Sequence, residues 1–293
     1  KVLLADFTDF KTPGEYMIEI PGLGRSAPFR IHEDAVAYAA RAYALGIYHQ
    51  LCGGTNELPF TRFTHPACHT APAEIPTMDP RFETTNKHIQ AMSSGKMANV
   101  DASLFPIVHR DPVDVSGGFH DAGDYSKYMN SACVQINHFA FASACLPGEK
   151  SDNLGIPESG DGIPDVLQMA KWEADFVAKM QDDDGGFYFL VYPRNRKYED
   201  NVLPQDGDQQ VVFPKNMISS AEAVGALAEM GSSPSFRKYY PKDADRYMAA
   251  AKKGYDFLRK AVAARGYEAA HQPVSHYGAL FDHHDEMAYA AAA

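Results

Sequence analysis

The chain of 293 residues is 45% hydrophobic and carries 38 acidic against 27 basic side chains, a formal net charge of −11. That acidity argues against nucleic acid or an anionic membrane surface as a partner. No run of about 18 apolar residues occurs, so no membrane-spanning helix is expected.

The first residues, "KVLLADFTDF", lack the charged, apolar and small-residue segments of a secretory signal. Either the protein is cytoplasmic or its natural start lies upstream. Up to about residue 32, Pro13-Gly14 and Pro21-Gly22 punctuate short alternating runs such as Tyr16–Ile20. This is strand and hairpin chemistry, and two or three strands do not make a stable domain alone. The segment reads as the end of a β-sandwich whose earlier strands precede this sequence.

From His32 the pattern turns helical. Val36, Ala40, Tyr43, Ile47 and Leu51 recur at helical spacing. Further helices are expected at about 125–145, 164–181, 217–230, 243–264 and from 284 onward. The one over 164–181 opens well, because Pro164 is tolerated in a first turn and Asp165 suits the positive end of the dipole. The last stretch, "DEMAYAAAA", carries no C-cap signal, and the chain is expected to continue. The fold class is mainly α.

The irregular region 53–115 contains "HPACHT", which sets Cys68 beside His69, with Cys52 closing the first helix. Buried thiols and surface histidines are the ordinary reading. Three soft ligands in one loop region would equally suit a tetrahedral structural zinc that needs one more donor. Cys133 and Cys145, on one helical stretch, read as core residues, and so does Trp172 at helical spacing.

"SGGFHDAGDYSKY", residues 116–128, is the densest constellation. An Asx-type turn ahead of a helix near Tyr125 would explain it without function. The functional reading needs glycines that let backbone approach a ligand, two carboxylates and aromatic faces. Gly117, Gly118, Gly123, Asp121, Asp124, Phe119, Tyr125 and Tyr128 supply them. Paired carboxylates can hold and deprotonate a water, and aromatic rings such as Tyr125 stack on sugars. Phosphate chemistry fits poorly, since no P-loop or dinucleotide fingerprint occurs.

"GGFHDAGDYSKY" resembles the signature of glycoside hydrolase family 9, the inverting cellulases built on an (α/α)6 barrel. "DFTDFKTPGEYMIEIPGLGRSAPFRI", "ESGDGIPDVLQMAKWEADFVAKMQ" with "DDDGGFYF", "VVFPKNMISSAEAVGALAEM" and "SHYGALFDHHDEMAYAAAA" resemble successive further pieces. The resemblance implies the last strands of an immunoglobulin-like module over 1–32. About half of the twelve barrel helices are then expected over 33–293.

It also implies roles. Asp124 would be the general base that deprotonates the attacking water, and Asp121 would orient that water. The opposing acid is a glutamate in the barrel's last helices, expected beyond residue 293, so neither Glu158 nor Glu286 is supported as its substitute. Zinc would be held by Cys52, Cys68, His69 and His120, and calcium by Asp285 and Glu286. Tyr277, with His276 beside it, would touch sugar. The implied activity is endo-cleavage of β-1,4-glucans with inversion, by a secreted or periplasmic protein, monomeric when full length. An exo-acting cellodextrinase or glucosaminidase on the same barrel is the alternative enzyme. A catalytically inactive carbohydrate-binding relative is the alternative outside enzymes, and retention of both Asp121 and Asp124 speaks against it.

Overall fold

The structure is a computed structural model that describes residues 4–75, 105–145, 151–194, 199, 202–213, 215–267 and 284–293. Its contacts divide the chain into two units, Lys1–Gly46 and Ile47–Ala293.

The first unit holds four short strands: β1 (Gly14–Tyr16), β2 (Glu19–Ile20), β3 (Gly24–Arg25) and β4 (Phe29–Ile31). β1 pairs antiparallel with β4, and β2 with β3. The expected turn at Pro21-Gly22 is present. Leu23 N–H donates to Ile20 O at 2.9 Å, and Gly22 takes φ 82°, the value that the third position of a type II turn demands. Pro13-Gly14 makes no such turn, because Gly14 already opens β1. Helix α1 (Ala35–Tyr48) follows and runs across the division. Its period was legible, yet Val36 and Tyr43 are 80% and 78% exposed. Periodicity marks a face; it does not supply what covers it.

The second unit is helical, with α2 (Met129–Cys145), α3 (Asp165–Lys179), α4 (Met217–Ser232), α5 (Pro234–Tyr239), α6 (Pro241–Arg265) and α7 (His284–Ala292). α4 is the most enclosed: thirteen of its residues are buried, among them Ile218, Val224 and Leu227. Asn216 caps it, accepting Ser219 N–H at 2.8 Å. At the start of α3, Asp165 Oδ2 accepts from Leu154 N–H at 2.6 Å and from Ser159 Oγ at 2.8 Å. α7 meets α4 at Gly225, where any Cβ would strike the Tyr289 ring. The Tyr289 hydroxyl lies 2.7 Å from Asn137 Oδ1 and 3.0 Å from Glu229 Oε2, sharing its one proton between them, so it joins α2, α4 and α7. No helix among the described residues is long and apolar enough to cross a membrane.

A small sheet escaped the sequence reading. β5 (Lys127–Tyr128), β6 (Leu190–Pro193) and β7 (Gln210–Val212) pair antiparallel in that order. With Phe189, Phe213 and Ile218 they bury Tyr128, Leu190, Tyr192 and Val211 in one apolar cluster. Strands of two to four residues are too short to show a period of two. β5 also displaces the start of the expected helix from about 125 to Met129. This sheet stands directly behind the aspartate turn.

Candidate active site and metal centre

Glycines and a buried lysine shape the turn. Gly117 and Gly118 have φ of 93° and 75°, which side chains rarely tolerate. Gly118 O accepts from Trp172 Nε1 at 3.1 Å and from Cys52 N–H at 2.9 Å, and His120 N–H donates to Gln50 O at 2.8 Å. Lys127, only 2% exposed, donates to Gly117 O at 2.9 Å and to Val115 O, and its ammonium lies 4.3 Å from the Phe176 ring centre. Segment 117–120 is thereby laced to the 50–53 turn, to α3 and to β5.

A Cβ on Gly118 would stand 2.8 Å from Phe176 Cγ and 3.1 Å from Glu173 Oε2. Gly118→Ala is therefore expected to cost roughly 2–4 kcal/mol from left-handed strain plus overpacking. Urea unfolding measures it, and a loss below about 0.5 kcal/mol, the range of a neutral surface change, would show that the turn does not depend on this glycine.

Past His120 the chain folds back on itself. Asp121 N–H donates to Ser126 O at 2.8 Å and Tyr125 N–H to Ala122 O at 3.2 Å, with Tyr125 at φ 58°. Left-handed strain in a non-glycine residue gathers at functional sites. Ser126 Oγ donates to Asp124 Oδ2 at 3.1 Å, whereas the buried Asp124 Oδ1 has no hydrogen-bond partner among the described residues. Burial raises the Asp124 carboxyl above its ordinary range, and the charge of Asp121 adds to the rise. A turn is present, but it caps no helix, since α2 begins only at Met129. An oriented, half-buried carboxylate with one bare oxygen and a second acid beside it can hold and deprotonate a water.

Beside this turn, four side chains from three places converge. Cys52 Sγ lies 3.8 Å from His69 Nδ1, Cys68 Sγ 3.6 Å from His120 Nε2, and the two histidine nitrogens 3.3 Å apart. All four donor atoms lie within 4.8 Å of one another, the one such group among the described residues that could hold a metal ion. Both thiols are free and buried. His69 has φ 48°. Burial alone would lower its imidazole, but Cys52 and Glu199 raise it to about 9. Burial opposes the Cys52 thiolate too, yet hydrogen bonding from Cys68 and the nearby Lys127 bring that thiol well below its usual value.

Other expected residues fall elsewhere. Tyr125 sets its ring 5.0 Å from His120 and 5.9 Å from His69, and its hydroxyl donates to Val202 O at 2.8 Å. Tyr128 belongs to the core sheet. Tyr277 and His276 lie outside the described residues. Asp285 and Glu286 stand in the first turn of α7, where, after burial, their charges lift the Glu222 carboxyl to about 8. No third carboxylate, histidine or cysteine joins them in a metal-sized group among the described residues.

Two core assignments need correction. Trp172 borders a cavity of about 380 Å³ with Tyr48, Phe119, Glu158 and Tyr240, because it lies at the edge of the buried stripe that passes through Glu173 and Phe176. Cys145 is exposed at the end of α2, whereas Cys133 is buried. Twelve helical residues turn the chain about a third of a circle past a whole number of turns, so the two cannot share a face.

Sequence reasoning missed Lys127, Glu173 and Glu199. Glu173 is fully buried under the glycines; burial lifts its carboxyl to about 8, against the opposing charge of Lys127. No local motif marks it.

The family model described as "Glycosyl hydrolase family 9" matches residues 37–293. The chain belongs to that family. "Endoglucanase D" of Acetivibrio thermocellus is 27% identical over 262 residues, covering 88% of this chain and 37% of that protein. Among solved structures, a metagenome-derived glycoside hydrolase family 9 endoglucanase superposes with a TM-score of 0.69 at 27% identity, over 98% of this chain and 47% of that one. A Zn-binding triple mutant of the family 9 endoglucanase J30 superposes with a TM-score of 0.68 at 26% identity, over 98% and 50%. This family 9 chain thus spans half or less of the length of each of these three relatives. Its helices are a partial (α/α)6 barrel.

Proposed function

We propose that this chain carries the water-activating half of an inverting glycoside hydrolase that cleaves β-1,4-glucans, as an endoglucanase. The observation that carries the reading is Asp124, half-buried beside Asp121 with Oδ1 bare and Oδ2 held by Ser126. Asp124 takes a proton from water, and Asp121 orients that water toward the sugar's anomeric carbon. The opposing acid, its carboxyl about 6.5–9.5 Å from that of the base, donates a proton to the leaving oxygen; family resemblance puts it beyond residue 293. Tyr125, half-buried, offers its ring to sugar, with Tyr277 and His276 as further contacts by resemblance. Residues 1–32 are proposed as the end of an immunoglobulin-like module, and the protein as secreted or periplasmic.

Cys52, Cys68, His69 and His120 are proposed to hold a structural zinc. Bonds of about 2.3 Å to sulfur and about 2.0–2.1 Å to nitrogen make tetrahedral edges of about 3.5 Å for S···N and about 3.3 Å for N···N. The separations of 3.8, 3.6 and 3.3 Å fit that set. When bound, the metal supplies cross-linking rather than chemistry, tying the 52 and 68–69 segments to His120, which adjoins Asp121. Calcium at Asp285 and Glu286 rests on resemblance alone, and no step depends on it.

The test of function is the configuration of the first product. Proton NMR of a soluble β-1,4-glucan digested by the full-length gene product should show the α-anomer before mutarotation. A β-anomer would contradict inversion.

A further inference from the structure

The zinc site has a buried carboxylate on its far side. Glu199 has a side chain with 0% exposure, and its Oε2 lies 3.4 Å from Nε2 of His69, whose side chain is 3% exposed. The opposite ring nitrogen of His69, Nδ1, faces Cys52 and His120. His69 therefore bridges the metal cluster and the carboxylate, one nitrogen to each. A histidine that gives its Nδ1 lone pair to a metal must keep its proton on Nε2. Glu199 Oε2 is the carboxylate oxygen set 3.4 Å from that nitrogen. His69 Nε2 makes no other polar contact among the described residues, and its approach to Glu199 is that of an ion pair rather than a short hydrogen bond.

Glu199 is itself held in place. The Asp208 backbone N–H donates to Oε1, and Gln210 Nε2 donates to Oε2 at 3.4 Å. Gly207 sits against the same pair with an ordinary φ of −62°, so conformational freedom does not explain it. Space does, because a Cβ there would lie 2.6 Å from His69 Nε2 and 3.0 Å from Glu199 Oε1. The same loop is tied to the aspartate turn by the Tyr125 hydroxyl, which donates to Val202 O at 2.8 Å.

We infer that Glu199 is a positioning residue for the metal site, fixing the Nε2–H form of His69 and aiming Nδ1 at the metal, while Gly207 keeps the approach open. The inference rests on the zinc reading. Carboxylates behind metal-bound histidines raise ligand basicity and hold the ring, and their loss weakens metal binding by about 10–100-fold. A cavity of about 210 Å³ lined by Cys68, His69 and Gly207 lies beside the ligand cluster.

The experiment measures zinc affinity of the full-length gene product by competition with a chromophoric chelator at pH 7, together with the cobalt(II) absorption spectrum. Glu199→Ala is expected to lose about 10–100-fold in zinc affinity and to change the cobalt bands. Glu199→Gln, whose amide oxygen can still accept the Nε2 proton, should lose less than Glu199→Ala. Gly207→Ala should weaken zinc by pushing a methyl between the pair. Val212→Ala, in the buried sheet and destabilising for packing reasons, should leave the affinity within about twofold, because its side chain offers no contact to the imidazole proton. Should Glu199→Ala fail to fold, Glu199→Gln and Gly207→Ala carry the test. Wild-type affinity and cobalt bands in every folded variant at 199 and 207 would overturn the role of Glu199 while leaving zinc in place. A wild-type protein that binds no zinc would overturn the zinc reading and this role with it.

Discussion

Asp124→Asn should lower kcat by about 10²–10⁴-fold in the full-length gene product while leaving KM close to wild type. The amide keeps the shape of the carboxylate and can still accept the Ser126 hydroxyl, which donates to Asp124 Oδ2 at 3.1 Å. What it cannot do is take a proton. The loss therefore falls on the step in which water attacks and spares binding of the sugar chain, the pattern expected when an interaction made only in the transition state is removed. Asp121→Asn should cost less, since it removes an orienting group and leaves the base. Near-wild-type turnover by Asp124→Asn would end the assignment.

Removal of the metal should have the second-largest effect. Elemental analysis should find about one zinc per chain, as a four-ligand site implies. Cys68→Ser should abolish it, because a hydroxyl replaces a thiolate in a closed set of four. A metal that binds only the folded state stabilises it by about 4 kcal/mol when free zinc stands a thousandfold above Kd. In a chain this size that corresponds to a fall in Tm on the order of 10 °C on chelation. Turnover should fall with it, since His120 adjoins Asp121 and its backbone is already bonded to Gln50, two residues from Cys52. A disulfide between Cys52 and Cys68, or a melting curve indifferent to chelator, would contradict this account.

The helices were legible because their buried faces repeat. Apolar positions in α3 and α4 recur at helical spacing over four turns, and the Pro21-Gly22 turn is written in two residues with fixed backbone preferences. The aspartate pair and three of the four clustered Cys and His side chains stood out because the residue types are few and sit close together. Resemblance was needed to join His120 to Cys52, Cys68 and His69, which the structure brings within 4.8 Å. What sequence could not show depends on contacts between distant segments. Glu199 meets His69, and Lys127 meets the carbonyls of Val115 and Gly117, only once the sheet and the loops are in place. Lys127 had no motif to announce it. Trp172 and Cys145 were misplaced because helical spacing fixes a direction and leaves the boundary of the buried stripe open. Val36 and Tyr43 show the same limit from the other side.

The pH dependence of kcat/KM, which reports the free enzyme, tests the central claim most directly. A general base works only when deprotonated, so activity falls as pH drops through its pKa. Burial, with the charge of Asp121 added, raises the Asp124 carboxyl, and the acid limb should therefore lie above the ordinary aspartate value of about 3.9. Asp121→Asn removes the repelling charge and should move that limb to lower pH. Asp124→Asn should abolish the limb, leaving a residual rate flat across the acid range. An acid limb that persists at the wild-type pH in Asp124→Asn would show that another group activates the water.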